Sequence, residues 1–112
     1  MARSTHFVLH RRLSAHANAP ADDAAALFVP PDAIWIGALT PKRWARRAVT
    51  RNLIRRQIYA VFSLASPRLP AGAHLIRLRA GFDAAQFPSA ASSALRRAVR
   101  SELLALLEQA AA

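Results

Sequence analysis

The chain has 112 residues, no cysteine, and sixteen lysines and arginines against six acids, a formal net charge of +10. The length predicts one domain, and the missing cysteine excludes disulfides, a thiolate nucleophile and cysteine-ligated zinc or iron–sulfur sites. An excess of positive charge on this scale calls for a polyanionic partner: nucleic acid, an acidic membrane or an acidic protein.

Taken in chain order, HFVLHRR (6–12) alternates, with Phe7 and Leu9 on one face and His6, Val8 and His10 on the other, and predicts a strand. Residues 14–32 hold three prolines, many small residues and three of the six acids, the composition of a mobile loop. AIWIGALT (33–40) is β-branched and aromatic enough for a second strand, ending before Pro41. From about Trp44 to Leu64 there is no glycine or proline, which predicts a helix. SPRLPAG (66–72) is turn material, and AHLIRLRA (73–80) predicts a third strand with Ile76 and Leu78 opposite Leu75, Arg77 and Arg79.

A second helix is expected from about Ala90 to Ala110. Leu95, Val99, Leu103, Leu106, Leu107 and Ala110 share one face, with Arg97, Arg100, Ser101 and Glu108 opposite, the pattern of a plain core-packing helix. The order β, β, α, β, α, with helices on one side of a small sheet, is an α+β sandwich. No apolar run is long enough to span a bilayer and no signal-peptide pattern follows Met1, so a soluble cytoplasmic protein is expected.

The first helix is in conflict with local physics. Lys42, Arg43, Arg46, Arg47, Arg51, Arg55 and Arg56 form one cluster, and no acid occurs between Asp32 and Asp83. Arg47, Arg51 and Arg55 recur at a spacing where like charges destabilise a helix by roughly 0.2–0.5 kcal/mol per pair. Cations at a helix N-terminus also oppose the macrodipole. A bound phosphate backbone removes that penalty. Arginine suits the role because its planar fork donates two parallel bonds to phosphate and stays charged. Asn52, among the arginines, adds a donor and an acceptor for sugar hydroxyls, base edges or a metal-bound water. A solvated face kept for solubility would mix its signs. A membrane-surface helix would set bulky apolar residues opposite the arginines, which Ala45 and Ala48 do not supply.

The remaining chemistry is sparse. His6 and His10 on one strand face stand roughly 13 Å apart, too far to share an ion, and no nucleophile–base pair or carboxylate pair lies near the basic cluster. Trp35, Trp44, Phe7 and Tyr59 are able to stack on bases, with the core or its edge as the competing place for each. Catalytic side chains, a protein-held cofactor and a protein-held metal are therefore not expected.

The string PKRWARRAVTRNLIRRQI resembles the signature segment of the bacterial ribonuclease P protein component. Lys42 and Arg43 match its first basic pair, Ala48 and Val49 the step that follows, Arg51 and Asn52 its Arg-Asn core, and Arg55 and Arg56 its final basic pair. IWIGALT sits where that family has a strand leading into the pair, and AHLIRLR where it has the strand after the helix, so the resemblance covers most of the chain. It implies a small α+β sandwich of the ribosomal-protein S5 domain 2-like type with a left-handed βαβ crossover. It further implies a cytoplasmic ribonucleoprotein that removes the 5′ leader from precursor tRNA, with magnesium-dependent hydrolysis carried out by the RNA subunit. The resemblance puts Lys42, Arg43, Arg46, Arg47, Arg51, Asn52, Arg55 and Arg56 on the catalytic RNA, and His10 and Phe7 near a groove between sheet and helix for the single-stranded leader. It implies no membrane and no DNA partner.

Three departures from the family pattern stand out. The chain begins almost at the first strand, where a short helix with leader-groove aromatics is usual. Tyr59 stands where a further arginine is common, and His10 where tyrosine is. The alternative from another class is a ribosome-associated or other basic RNA-binding protein outside any enzyme. A helix-turn-helix DNA binder is opposed by strands on both sides of the arginine helix.

Overall fold

The computed structural model describes residues 2–13, 34–65, 69–83, 86, 87, 89 and 92–111. The loop expected at 14–32 lies outside them. Six elements follow one another: β1 (Ala2–Arg3), β2 (Phe7–Leu13), β3 (Ile34–Leu39), α1 (Ala48–Ala65), β4 (Gly72–Leu78) and α2 (Ser93–Ala111). The strands form one mixed sheet in the order β1-β2-β4-β3, β4 running antiparallel to β2 and parallel to β3. The α+β architecture is as expected. The two-residue β1, too short to leave a periodic signal, is an addition.

Alternation along the strands sorts the sheet into two faces. Phe7 and Leu9 of β2 lie opposite Leu78 and Ile76 of β4, and all four are fully buried on the helix side. Above them Ile54, Ile58, Val61 and Phe62 of α1 meet Leu95, Val99, Leu103 and Leu106 of α2 in one core. Each such side chain contributes about 1.5–3 kcal/mol of transfer free energy, which outweighs the unfavourable charge pattern on the outer faces of the helices. Gly72, where β4 begins, has a φ of 136°, a conformation that any side chain would strain.

Two polar clasps fix α2 to the sheet. At one end Glu102 of α2 reaches the turn between β1 and β2. Its carboxylate accepts from the Ser4 hydroxyl, from the His6 backbone N–H at 2.6 Å, and pairs with His6 Nδ1 at 2.7 Å. The alternation of 6–12 placed His6 on the face of Val8 and His10. In the structure His6 precedes the strand, and the bend there turns its ring to the helix side, where it stacks on Phe82 at 3.8 Å. Arg79 closes the same turn by donating to the carbonyls of Ser4 and Thr5.

At the other end Arg11 Nε donates to the buried His74 Nδ1 at 3.1 Å, and its Nη1 donates to the Ala110 carbonyl at the end of α2. This leaves His74 Nε2 to carry the ring hydrogen and donate to the Pro70 carbonyl at 2.8 Å.

Glu102→Ala removes a carboxylate that accepts three bonds in a mostly buried position. It should lower unfolding free energy by about 2 kcal/mol, measured by urea denaturation, with Glu102→Gln intermediate because an amide oxygen still accepts. A variant as stable as the parent would rule out the clasp.

Candidate nucleic-acid interface

The basic cluster is split between a turn and a helix. Its first four cations, Lys42, Arg43, Arg46 and Arg47, lie in the corner between β3 and α1, and all four are exposed. The helix starts at Ala48 rather than near Trp44, and the reason is local. The Pro41 carbonyl accepts from the N–H groups of both Trp44 and Ala45, at 3.1 and 3.2 Å, which closes a turn. Ala45 then plugs into the core, and Arg47 takes the position before the first helical residue, its carbonyl accepting from Thr50 and Arg51. Arg47 therefore sits at the helix cap, one turn before Arg51, and the like-charge spacing of Arg47, Arg51 and Arg55 persists at the start of α1.

Arg51 does more than offer a charge. Its Nη1 donates to the carbonyls of Ala45 at 3.1 Å and Arg46 at 2.8 Å, so the side chain folds back and locks the turn that carries the other cations. Asn52, Arg55 and Arg56 are exposed on the helix, with Arg55 Nη1 donating to Asn52 Oδ1 at 3.3 Å. The Arg43 guanidinium lies 5.1 Å from the Trp44 ring centroid, a cation–π contact that holds both groups at the corner.

Gly81, after β4, supports the corner from behind. A Cβ at that position would stand 2.9 Å from the Trp44 carbonyl oxygen, so only glycine allows this approach of the two backbones. Sequence reasoning found every cation here by charge and motif. It missed Gly81 because the contact is long-range.

The second face of the sheet, turned away from the helices, carries a groove of about 370 Å³. Registers across three strands bring His10 and Arg12 of β2, Ala73 and Leu75 of β4, and Trp35 and Gly37 of β3 to this face. At Gly37 a Cβ would sit 3.1 Å from the Leu75 side chain, close enough that the leucine would have to shift slightly. Arg77 lies beside His10, its Nε 3.5 Å from His10 Nε2. Trp35, expected at the core or its edge, is 53% exposed here.

His10 therefore lines the groove and Phe7 does not. Phe7 is 0% exposed in the core on the opposite face, so it cannot line a groove as expected, and the groove itself lies on the face away from both helices rather than between sheet and helix. Trp35 and Arg12 are the groove residues that the site expectation omitted. Strand alternation pairs Arg12 with His10, but only the β3–β4 register brings Trp35 beside them.

Among the described residues no three histidines or acids converge as metal ligands, and no helix is long and apolar enough to cross a membrane. The geometry offers a rim of exposed cations on one corner and an aromatic, basic groove on the sheet.

Comparison with known proteins gives this arrangement a family. The family model for Ribonuclease P matches residues 1–105. The ribonuclease P protein component of Paraburkholderia xenovorans (strain LB400) is 37% identical over 109 residues, covering 97% of this chain and 67% of that protein. That of Ralstonia pickettii (strain 12J) is 39% identical over 108 residues, covering 96% of this chain and 65% of that protein. The chain thus spans about two thirds of the length of these relatives. The solved structure of the Staphylococcus aureus RNase P protein superposes with a TM-score of 0.63 at 18% identity, over 96% of this chain and 77% of that one, which supports the shared α+β fold. Matched by the family model along nearly its whole length, the chain belongs to the ribonuclease P protein family.

Proposed function

We propose that this chain is the protein subunit of a cytoplasmic ribonuclease P that removes the 5′ leader from precursor tRNA. In this reading it binds the catalytic RNA through Lys42, Arg43, Arg46, Arg47, Arg51, Asn52, Arg55 and Arg56. The RNA subunit carries out the hydrolysis with magnesium, and this chain supplies no reacting group. The observation that carries the reading is the rim of exposed cations, from a stretch of sequence with no acid between Asp32 and Asp83, held on a corner by Arg51 and Gly81.

Physically, such a rim replaces counterions condensed on the RNA backbone, so that phosphates pack closely without mutual repulsion. The sheet groove suits a different ligand. Trp35 offers a face for a base to stack on, while His10, Arg12 and Arg77 supply donors for a backbone running past it. A single-stranded leader fits that chemistry, because only unpaired bases present a free face.

The deciding experiment is processing of precursor tRNA by a bacterial ribonuclease P RNA at low magnesium, with and without this chain. Stimulated leader removal is expected, and the chain freed of all RNA should cleave nothing. No stimulation, together with co-purification on ribosomal subunits, would favour a ribosome-associated role instead.

RNA affinity should fall steeply with salt. For about four to six neutralised phosphates, log K against log salt slopes near −3 to −5, at roughly 0.7–0.9 per phosphate. Asn52→Ala should weaken RNA binding without changing the thermal melt. Arg51→Ala should do both, losing at least about tenfold in affinity and unlocking the corner, because its guanidinium serves two carbonyls as well as the RNA. Equal melts for the two variants would refute the lock.

The two faces of the sheet should separate in mutagenesis. Trp35→Ala should weaken binding of leader-bearing substrate by roughly five- to a hundredfold, the range of one lost base stack, and leave leaderless tRNA unaffected. His10→Ala should follow the same pattern more weakly. Phe7→Ala, in the core, should cost about 3–5 kcal/mol of stability and carry no leader dependence. Equal losses for both substrates on Trp35→Ala would remove the leader from the groove.

A further inference from the structure

A second group of arginines stands at the same end of the molecule as the first. The direction of the two helices brings it there. α1 begins at the corner that touches Gly81, just past the C-terminal end of β4, and its Phe62 lies against His74 near the start of β4. α2 meets the sheet with Glu102 at Ser4 and His6, beside the Phe7–Leu78 pair, and with Ala110 at Arg11, opposite His74. Both helices therefore run the same way along the sheet. Residues 93–101 of α2, about 13 Å of helix, precede Glu102 and so lead toward the end where α1 begins.

Arg96, Arg97 and Arg100 lie on that stretch. At 100° per residue Arg96 and Arg100 stack on one shoulder, and Glu102 lies about 160° around the axis from Arg100. Glu102 marks the side of α2 that faces the β1–β2 turn. Leu103 and Leu107, seven residues on from Arg96 and Arg100, are buried, so the arginine shoulder is the one that leans toward α1. Arg96 and Arg97 are exposed and Arg100 half-exposed.

Among the described residues, acids are few in this region. Neither helix has an acid in its first turn, so the positive ends of two macrodipoles add to the arginines. Glu102 is engaged by Ser4 and His6, and Asp83, before α2, has an interaction of its own. Glu108 is two turns further along, about 12 Å from Arg100. Arg96 and Arg100 repel each other at i, i+4, the same conflict that marks α1. The apolar face of α2 is occupied by the core, which leaves no bulky stripe beside these arginines to enter a bilayer.

We propose that Arg96, Arg97 and Arg100 form a second contact for the phosphate backbone of the catalytic RNA, continuous with the cluster around α1. The RNA is then gripped by the basic ends of both helices, while the sheet groove on the other face stays free for single-stranded RNA. The inference rests on the reading that this RNA is the partner of the chain.

The test is binding of the full chain to an in-vitro transcribed bacterial ribonuclease P RNA, without substrate, across a salt series. Arg96→Ala, Arg97→Ala and Arg100→Ala combined should weaken binding about tenfold or more and flatten the log–log salt slope by about 2–3. The corresponding triple lysine variant should keep the slope. Arg97→Glu alone, at the outermost position, should move affinity in the same direction with an unchanged thermal melt. A triple alanine variant with the affinity and slope of the parent overturns the proposal, as does a loss that appears only when precursor tRNA is added. If the parent itself binds this RNA no better than an unrelated RNA of equal length, the proposed function falls, and this inference with it.

Discussion

Parallel pairing of β3 with β4 governs the rest of the molecule. Two parallel strands cannot be joined by a tight turn, so the chain must leave the sheet at one end and travel back before it re-enters at the other. The corner at Pro41–Arg47 is that exit, and α1 is the return path. Every cation of the first cluster therefore lies at the exit corner or on the first half of the return. Both helices pack on one face, and the opposite face keeps its groove. The cations at the helix ends and the groove on the sheet are thus separated by the thickness of the sheet itself.

Arginine serves two purposes in this fold. With sixteen cations and six acids, most guanidinium groups have no carboxylate available, and several turn to backbone carbonyls instead. Arg51 holds the exit corner, Arg79 the β1–β2 turn and Arg11 the last turn of α2. Each carbonyl so engaged is an acceptor that the turn or helix end leaves unpaired. A guanidinium that holds a turn is thus told from one that stands exposed by what surrounds it and not by residue type.

Much of this was legible in the sequence, to the extent that it depends on local pattern. Period-two alternation assigned Phe7 and Leu9 to one side of their strand, and helical periodicity found Leu95, Val99, Leu103 and Leu106. The cations of the candidate site were all visible as charge. Long-range geometry was not. The helix seemed to start at Trp44 because nothing there forbids it; the Pro41 carbonyl, by drawing in two N–H groups, delays it to Ala48. Trp35 reads as a core aromatic until the strand order leaves β3 at the margin, and His6 reads as a strand residue until Glu102 claims it. The second helix looked like plain core packing because its arginines gain meaning only from the direction in which α1 and α2 run together.

Among the described residues β3 is also an edge strand, with Ile34, Trp35, Ile36 and Leu39 all exposed along it. An unpaired edge of that composition is a template for pairing with another copy of itself. The net charge of +10 opposes such an encounter, but only over the distance that salt allows: about 10 Å at 0.1 M and about 3 Å at 1 M. Charge here is a colloidal stabiliser as well as a handle for a ligand. Concentrated salt, which strips away nucleic acid, dissolves that repulsion at the same moment, so the free chain is most prone to strand-to-strand association in the very buffers that purify it.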